Sequence, residues 1–227
     1  MSQFSLGIDA PLAALDAIEL PPQLRRAVPR RQLHFRAGRY CAARALTALD
    51  AAVPWPLVGR DERGVPLWPP LVVGSITHTD GFASAAVARA AEVSALGIDT
   101  EPIVSRERAG HIVQAVAAAS EIAHARGAGW DQDVALTLVF SAKESIFKCL
   151  YPAVRRTFGF HDVRIVGLDG AAGTFRARIV TTLSEGFPAD TMLEGRFAVD
   201  GSHVHTGIAL LRVPARPPSF VIRALES

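Results

Sequence analysis

Asp99 and Glu101, in the stretch Gly97-Ile98-Asp99-Thr100-Glu101-Pro102, are the first residues whose spacing suits chemistry. On an extended strand, residues i and i+2 point to one face, so the two carboxylates project together about 6–7 Å apart. Such a pair in a partly apolar setting repels unless a cation lies between its members. Oxygen-only ligation of that kind suits Mg²⁺. The plainer alternative is a solvated acidic strand end. Gly7-Ile8-Asp9 repeats the first three letters without the Glu and reads as a decoy.

The stretch Phe140-Ser141-Ala142-Lys143-Glu144-Ser145-Ile146-Phe147-Lys148 offers the complement. Glu144 and Lys148 stand at i and i+4, neighbours on one helix face. As a bare surface ion pair they would contribute only about 0.3–0.5 kcal/mol. Lys143 and Lys148 are, however, the only two lysines in a chain with 24 Lys and Arg residues. Codon bias accounts for the arginine excess. Under it, a retained lysine suggests a site that needs a compact ammonium rather than a planar fork. With Asp99 and Glu101, Glu144 would make a third metal carboxylate, and two ammonium groups beside it would suit a phosphate.

Other candidates are weaker one by one. In Gly74-Ser75-Ile76-Thr77-His78-Thr79, hydroxyls, an imidazole and backbone N–H groups near a turn could receive an anion, although a single loop histidine is more often structural. Arg31, Arg39 and Arg63 could each grip a phosphate with two parallel hydrogen bonds, although isolated arginines are usually surface residues. His203-Val204-His205 puts two imidazoles on one strand face, but no third metal ligand is evident, and the stretch reads as a structural strand.

These residues need elements to hold them. A helical period runs from about Pro29 to Asp50, and a Pro/Gly-rich loop spans 53–70. Short β-type runs follow at Leu71–Ile76, Phe82–Arg89 and Val93–Asp99. Ser105 is a plausible N-cap for a helix over Arg106–Arg126, and a second helix from about Asp131 to Leu150 is stopped by Pro152. Strands return at His161–Leu168, Gly173–Thr181, Leu193–Val199 and His203–Val213. Helix-then-strands thus occurs twice, which predicts an α+β fold of two similar halves, divided as 1–104 and 105–227.

The chain has 227 residues, 49% of them hydrophobic and 20% charged, with net charge +2. That length buries roughly 70–75% of the unfolded surface and needs no disulfide or structural metal to fold. Two cysteines, Cys41 and Cys149, make no disulfide framework. A nucleic-acid binder is usually far more basic. No apolar run reaches the ~20 residues of a membrane span, and no signal peptide is visible at the N-terminus. A cytoplasmic protein is expected, with no nucleic-acid or membrane partner. Dinucleotide-binding, P-loop, zincin and GxSxG motifs are absent.

The stretches RRQLHFRAGRYCAARAL (30–46), GVPLWP (64–69), VGSITHTDGFASAAVA (73–88), GIDTEP (97–102) and FSAKESIFKCLYP (140–152), in this order, resemble the phosphopantetheinyl transferases of the large, single-chain, siderophore-synthase type. The resemblance implies a pseudo-dimer of two α+β halves with coenzyme A in the cleft between them. It implies transfer of the 4′-phosphopantetheine arm to a serine of an apo acyl or peptidyl carrier protein, releasing adenosine 3′,5′-bisphosphate, and a monomer. By position, Asp99, Glu101 and Glu144 would hold Mg²⁺. Thr77 and His78 would contact the coenzyme phosphates, Arg31 and Arg39 would lie at its nucleotide end, and Lys143 and Lys148 would flank the diphosphate. Many relatives carry Lys near the GxP stretch, and here Arg63 is the candidate.

Catalysis of such a transfer is mainly positioning and electrostatics, so no protein nucleophile is needed. Glu144, directly or through a metal-bound water, is the expected base for the carrier serine, and Lys148 the group that stabilises or protonates the leaving bisphosphate. Arg155, Arg156 and the segment Phe158–Phe160 are candidates for the carrier-docking surface. Two competing readings are a coenzyme A or nucleotide sensor without turnover and a Mg²⁺-dependent phosphodiesterase. A requirement for a carrier protein separates them from the transferase.

Overall fold

The computed structural model describes residues 2–6, 12–50, 58–104 and 113–212. The Gly7-Ile8-Asp9 decoy, the Ser105 cap and the first part of the loop over 53–70 lie outside the described residues.

After a short helix α1 (Leu12–Asp16), helix α2 spans Pro29–Leu49. Proline fits its first position because a first-turn N–H has no helical partner and φ is already helical. The buried stripe of α2, including Cys41, Ala42, Ala45 and Leu46, packs with Ala83, Ala85 and Val87 in one core cluster. A small hairpin of β2 (Gly59–Arg60) and β3 (Pro66–Leu67) leads into β4 (Val72–Thr79) and β5 (Phe82–Arg89). Gly81, at φ 73°, makes the turn between the last two. With β1 (Ser2–Leu6) these strands form an antiparallel sheet in the order β1-β5-β4.

The second sheet begins with β6 (Val93–Pro102). Helices α3 (Val113–Val116), α4 (Ala119–Gly127) and α5 (Gln132–Val154) follow. Strands β7 (Val163–Asp169), β8 (Thr174–Ile179), β9 (Met192–Val199) and β10 (His203–Leu211) complete the antiparallel order β6-β10-β9-β8-β7. The expected division at residue 104 places β6 with the first half, whereas its ladder partner is β10 of the second sheet. α5 lies on this sheet, and its residues Leu138, Ile146 and Leu150 join Phe175, Ile179 and Val204 in the largest core cluster. Asp131 caps α5, its carboxylate accepting from Val134 N at 2.9 Å.

Two expectations are corrected. The helix expected up to Arg126 is, within the described residues, broken between Val116 and Ala119. The Val116 carbonyl turns to the Lys143 ammonium (2.9 Å), and the Glu121 carboxylate takes the Ala118 N–H (2.8 Å). A buried ion pair thus supplies the partners that a continuous helix would have used. Pro152 does not stop α5, which runs to Val154 and closes with Arg155 in the left-handed region at φ 55°. In the last turn the missing proline N–H costs one hydrogen bond rather than the helix.

The two sheets meet edge to edge. Ser75 Oγ of β4 accepts from the backbone N–H of Ile98 in β6, and Thr77 Oγ1 from that of Thr100, both at 3.0 Å. Side-chain hydroxyls therefore satisfy buried N–H groups that would otherwise be costly orphans.

Candidate active site

Gly97, Asp99 and Glu101 alternate onto the face of β6 that meets α5. A Cβ at Gly97 would lie 1.9 Å from the Ser145 carbonyl and 2.6 Å from Cys149 N, so only glycine lets the helix backbone approach this closely. Ser141, Glu144, Ser145 and Lys148 recur at i, i+3, i+4 and i+7 along α5, a polar stripe on one face of the helix. The stripe faces the strand.

Asp99 is the centre of this contact. Its residue is 3% exposed. Oδ1 accepts from Lys148 Nζ at 2.6 Å and from Thr77 Oγ1 at 3.4 Å, and Oδ2 accepts from Ser141 Oγ at 2.8 Å. Thr206 of β10 in turn donates to the Ser141 carbonyl at 2.8 Å. Glu101 and Glu144 are half-buried beside it. Burial, then the neighbouring Asp99 and Glu144 charges, push the Glu101 carboxyl up to about 7, with Lys148 opposing. Glu144 is raised by burial and then by Asp99, again against Lys148. Three acids share one ammonium. Among the described residues, no three His, Cys, Asp or Glu side chains are grouped closely enough to hold a metal as they stand.

Lys148 also lines a cleft of about 1020 Å³ whose walls come from α2, the β2–β3 hairpin and β4 on one side and from the end of α5 on the other. Among the described residues, six arginines (Arg30, Arg31, Arg39, Arg60, Arg63 and Arg155) line it against one carboxylate, Asp61. Arg39 is buried, donates to the Gly59 carbonyl at 3.3 Å, and lies over the Phe35 ring at 4.7 Å. Its Nε has no hydrogen-bond partner among the described residues. Burial and the nearby Arg60 push its guanidinium down to about 10. His78 lines the same cleft, its ring 5.1 Å from that of His34. Although the residue has an exposed edge, loss of water around the ring and the positive neighbours His34, Lys148 and Arg39 push its imidazole down to about 4. A neutral imidazole and a surplus of guanidinium groups make an anion receptor.

Matches to known proteins agree with this chemistry. The family model for the 4′-phosphopantetheinyl transferase N-terminal domain covers residues 20–88, and that for the 4′-phosphopantetheinyl transferase superfamily covers 95–199. The chain is 40% identical over 198 residues to 4′-phosphopantetheinyl transferase Svp of Streptomyces mobaraensis, spanning 82% of this chain and 74% of that protein. The chain belongs to the 4′-phosphopantetheinyl transferase superfamily. It is also 33% identical to transferase PptT of Mycobacterium tuberculosis, over 85% of each chain. To enterobactin synthase component D of Salmonella typhimurium it is 29% identical, over 92% of this chain and 87% of that one. The reaction is transfer of 4′-phosphopantetheine from coenzyme A to a carrier protein.

The transferase brings together Asp99, Glu101, Glu144 and Lys148, and places Arg31, Arg39, Arg63, His78 and Lys148 around the cleft. Two residues go elsewhere. Lys143 is buried on the far side of α5, with its Nζ 2.9 Å from Glu121 Oε2 and 2.8 Å from the Phe160 carbonyl. At 100° per residue, five positions separate it from Lys148 by roughly 140°, so both lysines cannot face one ligand. Thr77 is also buried. Its hydroxyl serves Thr100 and Asp99, and it does not line the cleft.

The carrier-surface candidate Phe158 is buried against Phe147 at 5.0 Å, and Phe160 packs on Phe140. Arg156 is exposed and donates to the Thr182 carbonyl. His203 and His205 flank Asp200, with His205 Nε2 at 3.1 Å, and both rings pack near Phe82. Sequence reasoning missed Gly97, Ser141 and Thr206. The stripe at 141, 144, 145 and 148 was the available signal for Ser141.

Proposed function

We propose that this transferase holds coenzyme A in the arginine-lined cleft, with its diphosphate at Lys148, and that the carrier serine is activated beside Glu144. The observation that carries this reading is the Lys148–Asp99 pair, where the acid group of β6 and α5 adjoins the cationic cleft. Arg39, a buried cation whose Nε has no partner among the described residues, together with Arg31, fits the phosphorylated nucleotide end, and Arg63 and His78 fit further phosphate oxygens. Lys148 would stabilise charge on the departing adenosine 3′,5′-bisphosphate. Glu144, raised above its ordinary value by burial and then Asp99, is a stronger proton acceptor than a free carboxylate and suits the base.

The donors of Asp99, Glu101 and Glu144 fit Mg²⁺ in kind. They are oxygen-only, and their crowded negative charge would be relieved by a dication. Bound there, Mg²⁺ would neutralise charge on the diphosphate. In this reading the chain is a monomeric pseudo-dimer with its active site between the halves, and it works in the cytoplasm. One relative's name, enterobactin synthase component D, puts a siderophore or other secondary-metabolite carrier first among the partners.

The test is incubation with coenzyme A, Mg²⁺ and several apo carriers, followed by intact-mass measurement of each. One carrier should gain the phosphopantetheine arm on its serine. Consumption of coenzyme A without any carrier would instead support the phosphodiesterase, and binding without either outcome the sensor.

A further inference from the structure

The β2–β3 hairpin is fastened across the cleft by two arginine contacts. Arg155 Nη1 reaches Asp61 Oδ2 at 3.1 Å, and Arg63 Nη1 returns to the Arg155 carbonyl at 2.9 Å. Asp61 is built for this. Its Oδ1 accepts from the N–H groups of Arg63 and Val65, which fixes the hairpin tip and leaves Oδ2 aimed at Arg155. The hairpin base is equally fixed, because the Trp68 ring lies against Gly74 of β4 so closely that a Cβ there would be 2.7 Å from it. On the other side, Arg155 ends α5 at φ 55°, a conformation that favours glycine. A side chain kept there despite the steric cost points to a use for it.

We infer that Arg155 and Asp61 form a clasp that sets the cleft width and aims Arg63 at coenzyme A, both acting as positioning residues that touch no reacting atom. This rests on coenzyme A occupying the cleft. With the clasp made, the hairpin is ordered before the ligand arrives, so binding costs less conformational freedom. The clasp belongs to ligand capture and not to the bond-breaking step, since Lys148 and the acid group are held by α5 and β6 independently of the hairpin.

Arg155→Gly removes the side chain while suiting the left-handed backbone, so the variant should melt no lower than the parent. Its Kd and KM for coenzyme A should rise about five-fold, with kcat at saturation unchanged. Arg155→Lys should recover most of the loss. Asp61→Asn should reproduce it, and the double variant should be no worse than either alone. Titration calorimetry with coenzyme A and steady-state kinetics read all of these. Arg39→Gln is the control for the cleft. If it weakens coenzyme A binding while Arg155→Gly does not, or if the two clasp variants are additive, the clasp is refuted alone. If Arg39→Gln binds coenzyme A as the parent does, the cleft assignment fails and the clasp with it.

Discussion

At the scale of single residues, the acid group is the informative feature. Asp99 is locked by three donors, whereas Glu101 and Glu144 keep carboxylates that burial and then neighbouring charge make hard to ionise. Glu144→Gln is isosteric and removes the carboxylate charge, and with it the proton acceptor and one of the proposed Mg²⁺ donors. It should leave folding and coenzyme A affinity nearly intact and lower turnover by about 10²–10⁴, read as the rate of carrier mass gain. Near-parental turnover would remove Glu144 from the reaction. Glu101 supports a stability prediction for chelator-treated protein. Its folded carboxyl titrates near 7 against an ordinary 4.5, so between these values the folded state holds more protons than the unfolded one. Stability should then fall as pH rises through that window. Urea midpoints at pH 5 and pH 8 check the sign, and Glu101→Gln should show a smaller drop. No drop in the parent would mean that Glu101 ionises freely.

At the scale of elements, the decisive contact is α5 against β6. The sequence pattern marks both as elements, and the structure explains why the strand has glycine two residues before Asp99. Ser145 and Cys149 backbone atoms occupy the space of a Cβ. Gly97→Ala should force the helix away and destabilise the protein by about 3 kcal/mol or more, measured by chemical denaturation, with carrier modification lost in parallel. Parental stability would show that the helix can shift at no cost. The Lys143–Glu121 pair is the counterpart on the opposite face. Glu121 also accepts from the Ile165 N–H at 2.7 Å, so the pair joins α4, α5 and β7 inside the core. Burial lowers the Lys143 ammonium from its ordinary value, and Glu121 opposes that. Lys143 is thus a strut for the helix that carries Lys148.

At the scale of the whole molecule, two sheets share one seam, and Asp99 sits beside it. Thr77 is the joint, since its hydroxyl accepts from Thr100 N and also reaches Asp99. Thr77→Val keeps the shape and deletes the acceptor, leaving a buried N–H unpaired. A loss of about 1–3 kcal/mol is expected, together with weaker coenzyme A binding because the seam supports the cleft floor. Denaturation and calorimetry on the same variant separate the two effects, and an unchanged unfolding midpoint would show that water or another group replaces the hydroxyl. Cys41 and Cys149 are both free and buried, so no covalent link reinforces the seam. Among the described residues, no helix is long and apolar enough to cross a membrane.

Local periodicity was enough to define the strand Phe82–Arg89 with both its ends and α2 to within a residue, because hydrophobic alternation and proline or glycine punctuation act over a few neighbours. It also identified Asp99, Glu101, Glu144 and Lys148, since their spacings fix a common face within one strand or one helix. What lay beyond it was every choice between faces. Whether Lys143 meets a ligand or Glu121 and whether Thr77 opens to the cleft or closes the seam depend on partners more than twenty residues away. Side chains are assigned to elements by nearest-neighbour sterics along the chain. They are assigned to sites only when packing decides which face of each element meets which other.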